Sequence, residues 1–277
     1  MINQLKTVLL LGALTGILLL LGNLIGGTSG LTVAFMIAII MNVGSYWFSH
    51  KLVLAMYRAQ ELSKAKAPKI HTMVEDIAKK AGIPKPKIYR IPTNVANAFA
   101  TGRNQNNAVV AVTDGIVELL TPAELKGVLA HEIAHVKNRD ILISTIAATI
   151  ASVISYVAFM ARFVPIGGRD NNNGSNILSL ILLSILAPIA AMIIQLAISR
   201  SREYLADESG AKYLHNGSAL ASALEKLHTV KMPRGFATQA TAHLFIANPL
   251  SGQAFMNLFS THPDHKSRVA KLRSMKF

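Results

Sequence analysis

Four long apolar segments constrain the fold of this chain more than any other feature. They run over residues 8–25, 31–48, 141–164 and 177–198, and each is long enough to cross the roughly 30 Å hydrocarbon core of a bilayer as a helix. Hydrophobic residues make up 51% of the chain and charged residues only 15%, which is unusual for a soluble protein. The sequence therefore predicts a mainly α membrane protein with four transmembrane helices and a polar α+β domain that carries a small β-sheet.

These segments divide the chain into four parts. Residues 1–48 form two N-terminal transmembrane helices, 49–140 the first part of the polar domain, 141–198 a transmembrane hairpin, and 199–277 the second part of the polar domain. Lysine and arginine are dense after the second and fourth spans, whereas the two short connections within the span pairs carry no net charge. This pattern predicts a multi-pass protein with both termini and both polar regions in the cytoplasm, which in a bacterium means the inner membrane.

The formal charge of +14 and the lack of cysteine exclude several classes of function. Excess basic residues beside membrane spans are typical of the positive-inside rule, and we recognise no nucleic-acid-binding motif. We therefore predict the lipid bilayer, and no nucleic acid, as a partner. Without cysteine, disulfides, cysteine–zinc sites and thiol catalysis are excluded, so any metal must be held by His, Asp or Glu.

The first polar region contains patterns of both helices and strands. A helix is predicted from Tyr57 through Lys80, where the chain is rich in Ala, Lys and Glu. Glycine and proline then flank a short strand near residues 87–91. Two more strands, in NAFATG and NAVVAVTDG, are joined by the turn-like RNQNN.

The segment TPAELKGVLAHEIAHVKNR predicts a capped helix that carries two histidines. Thr121 and Glu124 form a capping box, and Pro122 occupies the first helical position. His131 and His135 are four residues apart, so both imidazoles leave one face of the helix. Two such nitrogens can reach one tetrahedral zinc ion at about 2.0–2.1 Å.

Glu132 completes a His-Glu-x-x-His pattern, which predicts one Zn²⁺ per chain. It lies about 100° round the helix from His131, where it can serve as the general base toward an attacking water. The pattern also arises by chance, and the alternative is an ordinary structural helix. We further expect this helix to continue through Asp140 into the third span.

A catalytic zinc ion needs a third protein ligand and one open position. Acidic and histidine residues of the second polar region are candidates: Glu203, Asp207, His215, His228, His243, His262 and His265. Because the third and fourth spans form an antiparallel hairpin, SRSREYLADESGAKYL returns beside HEIAH. Glu203 is then the favoured third ligand, and Asp207, one turn later, can accept a hydrogen bond from a ligand histidine. The alternative is a solvated acidic helix face.

Jointly, these motifs resemble the HtpX-type membrane zinc metalloproteases. The resemblance covers nearly the whole chain, including NVANAFATGRNQNNAVVAVTDGI, HEIAHVKNRD, SREYLADESGAK and LFSTHPDHKSRVAKL. It implies a zinc metalloendopeptidase that hydrolyses misfolded or damaged membrane proteins at the cytoplasmic face. It also implies His131, His135 and Glu203 as zinc ligands, and Glu132 as the catalytic base.

The resemblance adds two catalytic residues near the C-terminus. His262 and Arg268, in THPDHKSR, match a histidine and an arginine that lie close to the zinc in this family. A donor there can stabilise the oxyanion of a tetrahedral intermediate. The alternative for His262 is that, with Pro263, it caps a helix.

A strand beside the site is expected to bind substrate. Asn97, Ala98, Phe99 and Ala100 resemble the edge strand of the family, which can pair with an extended substrate through the backbone. The alternative is a plain core strand in which Phe99 is simply buried.

Two other functions compete with quality-control proteolysis. One is a dedicated protease that processes a lipidated or signal peptide. The other is a metal-binding membrane chaperone that does not cleave, although such a protein would have no need of Glu132. The sequence predicts no oligomeric state.

Overall fold

A computed structural model describes residues 2–142, 200–230 and 265–277 of the chain. The predicted transmembrane hairpin lies almost entirely outside these ranges, and so does His262.

The N-terminal helical segment, α1 (Ile2–Met56), folds back on itself. In a straight helix, residues 15 and 42 would lie about 40 Å apart. Instead, the side-chain amide of Asn42 donates a hydrogen bond to the hydroxyl of Thr15 at 2.8 Å. The predicted connection GGTSG contains Gly27, whose φ of 56° is the left-handed conformation that glycine adopts without a Cβ clash. The helical segment therefore reverses direction between residues 15 and 42, and the predicted connection GGTSG lies within that interval.

Small residues let the two arms of α1 approach closely. Ala34 and Ala38 are buried, and a Cβ added at Gly22 would collide with Ala34 and with the backbone of Gly30. Within the described residues, one window is long and apolar enough to cross a membrane, Gly27–Gly44, with a mean hydropathy of 1.6. Of the four predicted spans, this window overlaps the second.

The predicted helix from Tyr57 through Lys80 is wrong in its first half. The chain instead forms a short strand, β1 (Gln60–Glu61), and the helix α2 (Pro68–Ala81) begins only at the proline. Proline is favoured in the first helical turn because its missing N–H has no partner there in any case.

The predicted strands are all present, in one four-stranded sheet. These are β2 (Lys87–Ile91), β3 (Ala98–Gly102) and β4 (Ala108–Thr113), and the order is β1-β2-β4-β3. β2 and β4 are parallel, whereas β3 pairs antiparallel with β4 and forms one edge of the sheet.

In the described ranges after the sheet, the chain forms the helices α3 (Asp114–Leu119), α4 (Pro122–Asn138), α5 (Arg200–Leu214), α6 (Ser218–Thr229) and α7 (His265–Ser274). Helix α4 lies at the centre, in contact with α2, α5, α6 and the sheet. Its Val128, Leu129 and Ile133 are fully buried, so the helix that carries the histidines is also the main core helix.

Both ends of α4 are defined by local interactions. The predicted capping box is confirmed: the Thr121 hydroxyl accepts from the Glu124 N–H, and the Glu124 carboxylate accepts from the Thr121 N–H. The expected unbroken helix through Asp140 is wrong, because Arg139 adopts a left-handed φ of 60° and ends α4 at Asn138; the third span itself lies almost entirely outside the described residues. The N–H of Arg139 closes the last turn on the carbonyls of His135 and Val136.

Candidate active site

Three side chains from α4 and α5 converge in the core. Nε2 of His131 and Nε2 of His135 are 3.2 Å apart. The two carboxylate oxygens of Glu203 lie 3.4 Å from His135 Nε2 and 3.7 Å from His131 Nε2. Ligand atoms at about 2.0–2.1 Å from a tetrahedral zinc ion are separated by about 3.3 Å, so this trio has the spacing that such an ion requires.

Helix α5 can deliver Glu203 to this point because it crosses α4 at a glycine. A Cβ added at Gly210 would lie 2.9 Å from the backbone nitrogen of His131 and 3.0 Å from the carbonyl carbon of Ala130. Real Cβ atoms hardly ever approach a backbone so closely. Ala206, on the same face of α5, is fully buried. Small residues thus set the helix separation that brings the glutamate to the histidines.

Asp207 lies beside the first histidine. Its Oδ1 is 2.9 Å from Nδ1 of His131, on the side of the ring away from Glu203. Glu203 is 6% exposed and Asp207 only 1%, so the alternative of a solvated acidic face is wrong. Burial raises the pKa of Asp207, but Arg268 and His131 outweigh burial and lower it to about 2.

Arg268, from α7, is the buried counter-charge of this cluster. Its Nε and Nη2 each donate to an oxygen of Asp207 at 2.7 Å, and its Nη1 lies 3.3 Å from Glu203. Burial lowers the pKa of the guanidinium, but the two carboxylates outweigh it and the net shift is upward. Arg268 is therefore close to the predicted metal ligands, and its described contacts are with carboxylates.

A second carboxylate, Asp140, was missed by sequence reasoning. Its Oδ2 is 3.3 Å from Nδ1 of His135. Arg202 lies on the far side of Asp140, with Nε 3.8 Å from Oδ1. Each histidine of the trio therefore has an Asp at Nδ1 and an Arg behind that Asp. Burial lowers the pKa of His135, but Asp140 and Glu203 raise it well above its ordinary value.

The reason that Asp140 was missed lies in Arg139. In a continuous helix, residues 135 and 140 point about 140° apart and cannot meet. The left-handed Arg139 turns the chain back, so that Asp140 faces the preceding histidine. Nothing in the sequence marks this turn, since arginine has no preference for positive φ.

Glu132 is held by strand β3. The N–H of Ala100 donates to Oε2 of Glu132 at 2.8 Å, and the side chain of Glu132 is buried. Burial raises the pKa of this carboxyl, while His131 and His135 act in the opposite direction and the net shift is upward. The predicted base thus bridges the sheet edge and the histidine pair.

The predicted substrate strand is both an edge and a core strand. Phe99 is 3% exposed and packs against Val53, Leu54 and Tyr57 in and just after α1, so the burial that the alternative of a core strand requires is present. The backbone of β3 nevertheless forms the sheet edge. Just before the strand, Asn97 exchanges backbone hydrogen bonds with the hydroxyl of Thr113.

The other histidine candidates do not join the trio in the described part of the chain. His228 and His265 stack on each other with ring centroids 3.6 Å apart, and His215 lies against Phe277. His243 and His262 fall outside the described residues. Among the described residues, His131, His135 and Glu203 form the group that could hold a metal ion.

Fold and site together define a helical HExxH metallopeptidase with the histidine helix in its core. The model of peptidase family M48 matches residues 64–276. "Protease HtpX homolog" proteins from Syntrophobacter fumaroxidans and Persephonella marina are each 55% identical over 280 residues, covering 99% of this chain and 99% and 97% of theirs. The chain therefore belongs to peptidase family M48, whose members are metalloproteases.

A solved structure has the same fold. The crystal structure of S. mikatae Ste24p matches 98% of this chain with a TM-score of 0.57 and 19% sequence identity. This chain spans 65% of the length of that one. With the apolar N-terminal helix, these relatives identify the protein as a membrane protease.

Proposed function

We propose that the protein is a membrane-anchored zinc endopeptidase that hydrolyses misfolded or damaged membrane proteins on the cytoplasmic side. The observation that carries the proposal is the spacing of Nε2 of His131, Nε2 of His135 and the two carboxylate oxygens of Glu203, close to the edges of a zinc tetrahedron.

The donor set also fits zinc chemically. Two imidazoles and one carboxylate are a common ligand set of catalytic zinc, which when bound polarises a carbonyl and acidifies water. Asp207 and Asp140 would accept the Nδ1–H of His131 and His135, which leaves Nε2 of each ring as the metal-binding atom.

Glu132 would move the proton during hydrolysis. Its Oε2 accepts the N–H of Ala100, so we assign proton transfer to the other oxygen, Oε1. Oε1 would take a proton from the attacking water and later give it to the leaving amine. The raised pKa favours this cycle, because a carboxyl nearer neutrality is both a better base and a competent acid.

The substrate would bind as an extended strand beside β3. In an antiparallel pair, backbone groups alternate between the partner strand and the outer edge. Because the Ala100 N–H points away from β4 to Glu132, the backbone groups of Ala98 and Ala100 belong to the outer edge. Recognition through the backbone suits an enzyme that must cleave many unfolded sequences.

Arg268 and His262 would have different roles. The contacts of Arg268 with Asp207 and Glu203 favour a positioning role, in which the guanidinium neutralises two carboxylates of the site. The oxyanion role then falls to His262, on the basis of the family resemblance.

The proposed orientation rests on charge. Basic residues are dense in the chain that follows α1 and at Arg200 and Arg202, where α5 begins. By the positive-inside rule, the site and both termini would be cytoplasmic, and the enzyme would meet those parts of its substrates that emerge from the bilayer.

The test is cleavage of casein by the full chain in detergent with zinc. We expect cleavage that is lost in Glu132→Gln and in the presence of 1,10-phenanthroline. Glu208→Gln is the matched control, because Glu208 is a half-buried residue of α5 paired only with lysines among the described residues. Equal cleavage by the protein and by Glu132→Gln, or none by either, would exclude the proposal.

The same assay separates the competing functions. A processing protease would leave casein intact while cutting one lipidated or signal peptide at one position. A non-cleaving chaperone would bind casein equally well with and without Glu132. Cleavage of casein at many sites favours quality-control proteolysis.

A further inference from the structure

An arginine of the sheet region stacks on the tryptophan of the N-terminal hairpin. Cζ of Arg103, the residue that follows β3, lies 4.0 Å from the ring centroid of Trp47 in α1. Trp47 is 47% exposed. This cation–π contact joins two segments that are far apart in the sequence, and it leaves much of the indole ring at the surface.

More positive charge surrounds this ring. Lys51, one turn after Trp47, has its ammonium 5.5 Å from the ring centroid of the exposed Phe48. Burial lowers the pKa of His50, and both Lys51 and Arg103 lower it further. Among the described residues, Lys51 and Arg103 contact aromatic rings and form no ion pair with an acid. The patch therefore lacks an anion of its own within the described chain.

The position of the patch along α1 indicates what supplies that anion. The apolar window of α1 ends at Gly44 and the predicted second span at residue 48, so Trp47 lies at the end of that span, about 4–5 Å beyond the window. Exposed tryptophan and basic residues at that height are typical of the headgroup layer of a bilayer. Arginine and lysine beside an indole favour a phosphate that carries net negative charge.

We propose that Trp47, Phe48, Lys51 and Arg103 form a binding surface for an anionic phospholipid headgroup, here called the headgroup surface. Lipid bound there would hold the end of β3 at the membrane. Ala100, which donates to Glu132, is only three residues from Arg103, or roughly 10 Å of extended chain. The headgroup surface would thus fix the height of the candidate substrate strand above the bilayer. This last consequence rests on the proposed function, whereas lipid binding does not.

Trp47 is the single tryptophan of the chain, so its fluorescence reports directly on this surface. The full chain is reconstituted in lipid vesicles, which add no tryptophan, made of equal parts phosphatidylcholine and phosphatidylglycerol with brominated acyl chains on one of the two lipids. If the surface selects the anionic lipid, brominated phosphatidylglycerol quenches Trp47 about twice as strongly as brominated phosphatidylcholine, or more. Equal quenching by the two would overturn the proposal.

Charge variants identify the residues responsible. The double variant Lys51→Gln, Arg103→Gln is expected to bring the quenching ratio close to one. The charge-matched control Lys69→Gln, Lys79→Gln removes two exposed lysines from α2 and should keep the ratio of the unmodified protein. An equal loss in both double variants would show a general charge effect and contradict a defined surface.

The quenching ratio compares the effect of two lipids on the same indole ring. A substitution that changes the fluorescence yield of Trp47 affects both values equally and leaves the ratio unchanged. The catalytic variant Glu132→Gln is expected to retain the full ratio. Selectivity that persists in a protein unable to cleave casein would therefore support the headgroup surface even where the proposed proteolysis had failed. If the two brominated lipids quench equally in a protein that cleaves casein, the headgroup surface is contradicted and the proposed proteolysis is not affected.

Discussion

Asp140 lies against His135 although the helix between them has ended: Oδ2 of the aspartate is 3.3 Å from Nδ1 of the imidazole. The left-handed Arg139 makes this contact possible, and such a conformation costs an L-residue about 1–2 kcal/mol. A strained turn at this point is explained if Asp140 orients the histidine for metal binding.

Asp140→Asn should weaken zinc binding. Loss of a carboxylate behind a ligand histidine typically lowers metal affinity about 10–100-fold. Zinc affinity is measured by competition with a fluorescent chelator. Asp114→Asn is the control, because Asp114 is also paired with an arginine, Arg90, but at the exposed end of β2. An unchanged affinity in Asp140→Asn would refute this role.

Gly210→Ala should separate α5 from α4. The added methyl group would meet the backbone of Ala130 and His131, which cannot move without disturbing the core, so we expect a loss of about 1–3 kcal/mol in stability. Zinc affinity should fall with it, since Glu203 moves away from the histidines. The control is Gly44→Ala, where an added Cβ has nothing within 4 Å. Thermal unfolding in detergent and chelator competition provide both measurements.

Arg268→Lys should be much more damaging than Arg273→Lys, made on the same helix. Lysine cannot reproduce the two parallel bonds to Asp207, and an incompletely paired buried carboxylate costs about 3–5 kcal/mol. The pair of Arg273 with Glu225 is exposed, so its replacement should cost less than about 1 kcal/mol. Similar shifts of the thermal midpoint in the two variants would contradict the buried-pair account.

Glu124→Gln should destabilise the protein in a pH-dependent way. Burial raises the pKa of Glu124, but the ion pair with Lys226 and the cap bonds to Thr121 outweigh it, so the pKa lies below its ordinary 4.5. Because the folded-state pKa is the lower one, the stabilisation is complete above about pH 4.5 and is lost as the pH falls through the folded-state value.

At neutral pH we therefore expect Glu124→Gln to cost about 1 kcal/mol, the usual value of a helix cap. The difference from the unmodified protein should shrink as the solution becomes acidic. Glu118→Gln, at an exposed position of α3, is the control and should show little difference at any pH. If the difference in stability between the unmodified protein and Glu124→Gln stays constant with pH, the charge of the Glu124 carboxylate is not its cause.

The parts of the site that could be predicted are those that local spacing determines. The capping box of Thr121 and Glu124, the i, i+4 histidines and the three strands are short-range patterns, and each is present. Glu203 beside the histidines was also predicted, because an antiparallel hairpin must return the chain to its starting point.

The parts that were missed depend on tertiary contacts without a local signature. The contact of Asp140 with His135 requires the left-handed conformation of Arg139. The two hydrogen bonds from Arg268 to Asp207 join residues of two separate helices. The helix expected from Tyr57 failed for a related reason. Its first residues have good helix propensity, but pairing of β1 with β2 outweighs that preference.

The side chains of the site come from α4, α5 and α7, and the ribosome synthesises these three helices at different times. A ribosome adds about 5–20 residues per second, so HEIAH emerges seconds before Glu203, and Arg268 comes later still. A nascent chain that already displays both histidines has neither its third ligand nor the guanidinium that neutralises the cluster. We therefore expect the order of synthesis to keep the enzyme inactive while it is still being made.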